Sequence, residues 1–209
     1  MKTILFDLDD TLIESMHVWE NAIVHLFEKM NLTMDIEEAR EIFTKMKFAE
    51  VLTYIKNTFQ TEQDEKWMFD EVQKDIYDQY ANHIQEKKGA LDFIKLCNAK
   101  NIKMAVLTSN MKALTEIVLK RLGMFDYIQK VYSADEMHMT KREPQIYEYV
   151  LADLDANKEE TILFEDSMYA IETAQKLGIQ CVGLLNMNNE EAFKKNQVKT
   201  IHDFTELCK

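Results

Sequence analysis

The sequence predicts an α/β protein, a parallel sheet with helices on its faces, interrupted near its start by an all-helical insert. Two features carry this. From Gly89 onward, short apolar runs alternate with segments of helical periodicity, a pattern that needs right-handed crossovers and a parallel sheet. Between Glu14 and about Asn82 the alternation vanishes. Apolar residues there recur only at helical spacing, and the stretch has neither glycine nor proline.

The elements follow in order. "TILFDL" is an apolar run ending in polar residues, as a buried strand meeting a loop does. "SMHVWENAIVHLFEKM", "DIEEAREIFTKM", "FAEVLTYIKNTF" and "DEKWMFDEVQKDIYDQYANH" predict four helices packed on one another. Next come the helix "ALDFIKLCNAKN", the strand "IKMAVLT" and the helix "MKALTEIVLKRLG", stopped by Gly123. The strand "KVYS", the helix "PQIYEYVLADL" and the strand "TILFED" come after it. The helix "SMYAIETAQKLG" ends at Gly178, before the strand "QCVGLL", and "VKTIHDFTEL" adds a short strand and helix. Residues 1–13 and 89–209 are therefore assigned to the α/β core domain and 14–88 to the helical insert. The insert is rooted at the carboxyl end of the first strand, where open parallel sheets bind ligands, and is expected to cover that end.

Composition narrows the function. A chain of 209 residues can bury a core and carry a smaller module. A net charge of -12 argues against nucleic acid and anionic membrane as partners, which both need a basic surface. A small phosphorylated metabolite stays open, because a bound cation reverses the sign locally. Cys97, Cys181 and Cys208 are scattered, without a CxxC or Cys/His cluster, so neither a disulfide frame nor a zinc site is expected. No window has the apolar length of a membrane span, and the start lacks an export pattern, so a cytoplasmic location is expected. Either a monomer or a small homo-oligomer fits.

The acidic stretch "DLDD" then needs a reason. Residues two apart on an extended chain point to one side, so Asp7 and Asp9 can face one pocket. "VLTSN" ends its strand in Thr108, Ser109 and Asn110, neutral donors suited to phosphate oxygens, and "LFEDS" ends in Glu165 and Asp166. A parallel sheet brings these ends to one edge. At an effective dielectric of about 20, each like-charged pair 4 Å apart costs about 4 kcal/mol. Carboxylates gathered without histidine suit a hard cation, Mg²⁺ before zinc. Lys141, in "MTKREPQIY", supplies a further positive charge.

These residues resemble the haloacid dehalogenase-like superfamily, and within it the helical-cap phosphatases and the β-phosphoglucomutase branch. "FDLDDTL" is similar to the first motif, DxDxT/V, and "VLTSN" to the second. Lys141 in "KREPQIY" is similar to the third, and "LFEDSMYAIETAQKLGI" to the fourth. The order, the spacing and the insert after the first motif agree along essentially the whole chain. The resemblance implies a Rossmann-like core with a helical cap, and a phosphatase of a small phosphomonoester. By position it implies Asp7 as nucleophile, forming an aspartyl phosphate, and Asp9 as general acid and base. It implies Mg²⁺ on the Asp7 carboxylate, the Asp9 carbonyl and Asp166, with Glu165 direct or through water. Thr108 and Lys141, with Ser109 and Asn110 beside them, would hold the phosphoryl group.

The sequence departs from the pattern where Arg142 follows Lys141, a frequent proline position, and where Gln145 and Asp10 replace a frequent aspartate and glycine. Asp10 is assigned a structural role in its loop, and Ser167 the N-cap of the following helix. Trp19, Lys45 and Lys47, in the insert, are candidates to touch substrate. A phosphosugar mutase is the alternative. It must hold a second phosphate with basic cap side chains, and the insert offers one arginine, Arg40, with scattered lysines. A non-catalytic phospholigand-binding protein is a third reading, disfavoured because Asp7, Asp9 and Asp166 are all present.

Overall fold

The computed structural model describes residues 2–35, 46 and 48–208. The chain divides into two compact units, Met1–Ser15 with Ile84–Lys209, and Met16–His83.

The Met16–His83 unit contains helices α1 (Met16–Lys29), α2 (Phe48–Phe59) and α3 (Glu65–Asp78), the last running into a π-helical turn at Gln79–His83. Its packing follows from i, i+4 stripes. Val18, Ala22 and Leu26 of α1 are buried, as are Met68, Val72 and Ile76 of α3. Phe27 and Phe59 meet edge to face at 5.3 Å. Outside the stripe, His25 lies 2.8 Å from Asp75 and Lys29 lies 2.6 Å from Glu71. Asp64 caps α3, accepting from the Trp67 amide at 2.7 Å. The expected helix "DIEEAREIFTKM" falls almost wholly outside the described residues.

The other unit is built on six strands in the order β3-β2-β1-β4-β5-β6, every neighbouring pair parallel. They are β1 (Thr3–Phe6), β2 (Lys103–Thr108), β3 (Lys130–Ser133), β4 (Thr161–Glu165), β5 (Gln180–Leu184) and β6 (Thr200–Ile201). The helices are α4 (Ala90–Ala99), α5 (Lys112–Arg121), α6 (Pro144–Asp153), α7 (Met168–Lys176) and α8 (Glu190–Lys195). All four residues of β1 are buried, as a central parallel strand covered on both faces requires. Alternate residues divide the core. Phe6 and Phe164 face Phe93 and Phe204, with ring centroids 5.3 to 6.3 Å apart. Leu5 and Leu163 pack in the opposite layer with Ile146, Tyr147 and Ile171 of α6 and α7.

Gly123 and Gly178 end their helices as expected, with φ of 70° and 89°. At Gly123 the amide bonds the Lys120 carbonyl and the Met124 amide bonds that of Leu119, a Schellman pair. One expectation at the far end is corrected, and one helix is new. "VKTIHDFTEL" forms a two-residue strand and a 3-10 turn, Phe204–Leu207, rather than a helix. The short α8, with only Phe193 buried, lacks the periodicity that would reveal it in the sequence. Its Phe193 ring fills the space over Gly183, where an added Cβ would lie 2.5 Å from the ring. Finally, residues 84–88 belong to the sheet unit because they pair with the segment after β1. Ile13 bridges Glu86 antiparallel, and the Lys87 amide bonds the Leu12 carbonyl at 2.8 Å.

Candidate active site

In this strand order the chain moves from β1 outward through β2 and β3, then returns to β4 on the other side. Open α/β sheets have their crevice at such a reversal, at the carboxyl ends of the flanking strands. Here those are β1 and β4. Leu5 pairs with Leu163 and Phe6 with Phe164, so the register carries Asp7 alongside Glu165. Parity sends both side chains to the layer of Leu5 and Leu163, where the loop before α6 delivers Lys141.

The three side chains form a buried ion triad. Lys141 Nζ lies 2.5 Å from Asp7 Oδ1 and 2.8 Å from Glu165 Oε2. Asp7, Lys141 and Glu165 are 4%, 3% and 0% exposed, so water screens these charges little. The lysine backbone is held by the Tyr147 hydroxyl, 3.4 Å from the Lys141 carbonyl and 3.2 Å from that of Ala170. Burial alone would lower the Lys141 ammonium, but Asp7 and Glu165 outweigh it and hold it well above its ordinary value. Burial, and then the Asp7 charge, raise Glu165 against the pull of Lys141. Arg142, in the place of a proline, lays its guanidinium 4.0 Å from the centre of the Tyr169 ring.

Asp166 completes the cluster. One ligand atom from each of Asp7, Glu165 and Asp166 lies within 4.8 Å of the others. Burial first, then the Asp7 and Glu165 charges, raise the Asp166 carboxyl far above the usual carboxylate range. Its Oδ2 accepts from Asn186 Nδ2 at 3.2 Å and its Oδ1 from the Ser167 hydroxyl at 3.2 Å. Ser167 is the N-cap of α7, as expected, though its hydroxyl bonds Asp166 and not the helix amides, and its carbonyl accepts from the Ala170 and Ile171 amides. Its own amide donates to Glu165 Oε1 at 3.1 Å.

Asp9 lies beyond the end of β1 and has different partners. Its Oδ1 accepts from the Ser15 hydroxyl at 2.8 Å and its Oδ2 from Asn110 Nδ2 at 3.2 Å. Thr108 is buried at the end of β2, and its Oγ accepts from the Asn110 amide at 2.9 Å. Asp10 has a φ of 55° and accepts from the Ser15 amide at 3.2 Å, which is the loop role expected of it.

The family description "Haloacid dehalogenase-like hydrolase" matches residues 4–184, a span that begins in β1 and ends with β5. The chain belongs to this family. Among its relatives is the validoxylamine A 7'-phosphate phosphatase of Streptomyces hygroscopicus subsp. limoneus. It is 26% identical over 206 residues, covering 99% of this chain and 95% of that protein. The phosphorylated carbohydrates phosphatase of Thermotoga maritima is 24% identical over 200 residues, covering 91% and 88%. Among solved structures, a Thermotoga maritima protein provisionally assigned as a β-phosphoglucomutase superposes with a TM-score of 0.88. It is 21% identical, with 100% of this chain and 97% of that one covered, and this likeness is one of fold.

This haloacid dehalogenase-like hydrolase thus brings Asp7, Lys141, Glu165 and Asp166 into one cluster, with Asp9 and Asn110 joined beside it. Ser109 is exposed just past β2. Trp19 lies on α1 in the other unit, and its side chain, like Lys45 and Lys47 as a whole, lies outside what is described. Sequence reasoning missed Ser15, Asn186 and Asn189. Ser15 stands four residues past the first motif, and both asparagines sit in a turn after β5, where asparagine is common for backbone reasons alone.

Proposed function

We propose that this hydrolase is a Mg²⁺-dependent phosphatase of a small phosphomonoester, acting through a phosphoryl group carried by Asp7. The observation that carries the reading is the buried cluster of Asp7, Glu165 and Asp166 around one lysine. With all three carboxyls ionised, as binding a cation would require, three carboxylates and one ammonium leave 3 - 1 = 2 negative charges among oxygen donors alone. A hard divalent cation suits such a set. Asp7, Glu165 and Asp166 would hold it, and when bound it would supply charge neutralisation for an incoming phosphate.

The chain's own groups account for the remaining chemistry. A carboxylate oxygen of Asp7 attacks phosphorus, and the bond from phosphorus to the leaving oxygen breaks. Asp9 gives that oxygen its proton, so the alcohol departs neutral. Water then attacks the aspartyl phosphate, Asp9 takes the water's proton, and Asp7 is restored as phosphate leaves. General acid–base help of this kind is worth about 10² to 10⁴ in rate. Ser15 and Asn110 each hold one oxygen of Asp9 and so orient it. The Thr108 hydroxyl, accepting from the Asn110 amide, keeps its own proton for a phosphoryl oxygen. Lys141 screens charge between Asp7 and Glu165 and faces the same transferred group.

One relative is named a phosphatase of phosphorylated carbohydrates and another a validoxylamine A 7'-phosphate phosphatase, while others are named pyrophosphatases, so sugar phosphates are the first substrates to try, with pyrophosphate beside them. The test is phosphate release from a panel of sugar phosphates and nucleotides with Mg²⁺, with the Asp7→Asn variant alongside. Turnover by the native chain and none by the variant is expected. Equal inactivity of both across the panel would overturn the reading. A glucose 1-phosphate assay with a bisphosphate activator separates hydrolysis, which frees phosphate, from mutase action, which yields glucose 6-phosphate.

A further inference from the structure

We propose that the turn following β5 is a positioning device for Asp166, in which Asn189 fixes the aspartate backbone and Asn186 orients its carboxylate towards a cation. This rests on the reading of Asp166 as a metal ligand, and it adds two residues that no motif of the sequence marks.

The strand register puts the turn where it can act. Glu165 pairs with Gly183, so the chain leaving β5 at Leu184 emerges beside Asp166. Asn189, only 8% exposed, donates through one amide nitrogen to the Asp166 carbonyl and to the Leu184 carbonyl, each at 2.8 Å. One side chain thus clamps the ends of two neighbouring strands. Its oxygen accepts from the Asn186 amide at 2.9 Å, which ties the start of the turn to its end. The Asn186 oxygen in turn accepts from the Asn188 amide at 2.9 Å. With its oxygen held there, the Asn186 amide nitrogen is directed to Asp166 Oδ2, at 3.2 Å.

The choice of an amide has physical content. A lysine or arginine here would orient Asp166 equally well, but its charge would cancel the negative charge that attracts a cation. Asparagine occupies one lone pair of Oδ2, limits rotation of the carboxylate and leaves the net charge alone. Partners of this kind behind a metal ligand are worth about 10- to 100-fold in affinity when removed. If the two asparagines serve only the turn, their loss will leave metal affinity where it was.

The experiment is Mg²⁺ titration by calorimetry on the full chain, comparing the native protein with Asn186→Ala, Asn189→Ala and Asp166→Ala, with melting temperatures taken in chelator. The native protein binds Mg²⁺, and Asp166→Ala binds far more weakly. For Asn186→Ala the expected result is about tenfold weaker binding, with the metal-free melting temperature within about 2 °C of native. Asn189→Ala gives a loss at least as large, and if it does not fold, Asn186→Ala decides alone. Native-like affinity in Asn186→Ala, with Asp166→Ala weak, overturns the positioning role and leaves the proposed function standing. No Mg²⁺ binding by the native chain overturns both.

Discussion

Lys141 Nζ lies 2.5 Å from Asp7 Oδ1, although 134 positions separate the two residues in the chain. The same nitrogen reaches Glu165, so one cation serves two buried carboxylates. Removing it leaves both unpaired, which in comparable buried pairs costs about 3 to 5 kcal/mol. Lys141→Met is therefore expected to lower unfolding free energy by about that much in chelator, measured by urea titration. Mg²⁺ should restore part of the loss. A variant as stable as the native protein without metal would show that the pair is not what holds this corner of the fold.

Asp166 has the opposite balance. It receives hydrogen bonds from Asn186 and Ser167 but no ion pair among the described residues, and burial with the Asp7 and Glu165 charges opposes its ionisation. Asp166→Asn should therefore raise the metal-free melting temperature, by the equivalent of about 1 to 2 kcal/mol. It should also abolish both phosphatase activity and the stabilisation by Mg²⁺. Thermal melts with and without the ion check this. A fall in the metal-free melting temperature would mean that the carboxylate contributes more through its hydrogen bonds than it loses by repulsion.

Thr11 is fully buried in the loop after β1, and its hydroxyl has no hydrogen-bond partner among the described residues. An unsatisfied buried polar group costs about 1 to 3 kcal/mol. Thr11→Val keeps the shape and removes the hydroxyl, so it should gain about 1 kcal/mol by chemical denaturation. Activity should remain within a few-fold. Destabilisation instead would reveal a partner, such as a buried water.

A pH test is available at the end of α6. Asp153 Oδ2 accepts from Lys130 Nζ at 2.6 Å and from the Tyr132 hydroxyl at 2.5 Å. These two bonds, Lys130's the stronger, hold the Asp153 carboxyl below its ordinary value. A lowered folded value means stability that is present above the unfolded carboxylate pKa, about 3.9, and lost as pH falls through the folded one. The melting temperature of the native chain should exceed that of Asp153→Asn near neutral pH, and the gap should close in acid. A gap that stays constant from neutral pH into acid would remove the ionic contribution.

Much of the architecture is legible in the residues themselves. Apolar runs and period-3.6 patterns are local, and burial of a strand on both faces or of a helix stripe imposes them directly on neighbouring residues. Gly123 and Gly178 were legible for the same reason, since a left-handed helix end favours glycine. Asn101 and Asp155 make the same helix end with φ of 54° and 47°, and do not signal it because their side chains permit many other roles. Ser167 is legible as the N-cap of its helix, but not the partner of its hydroxyl, which a neighbouring carboxylate takes in place of a helix amide.

The sequence by itself determined the kinds of groups present at the strand ends, namely acids after β1 and β4 and hydroxyls after β2. Strand chemistry and the family motifs are written in short contiguous stretches. Only the tertiary structure decided the pairings. Lys141 bridges Asp7 and Glu165, Asp9 turns to Ser15 and Asn110, and the turn after β5 reaches back to Asp166. Those choices depend on strand order and register, which set distances between residues far apart in the chain, and no local pattern of residues encodes a distance.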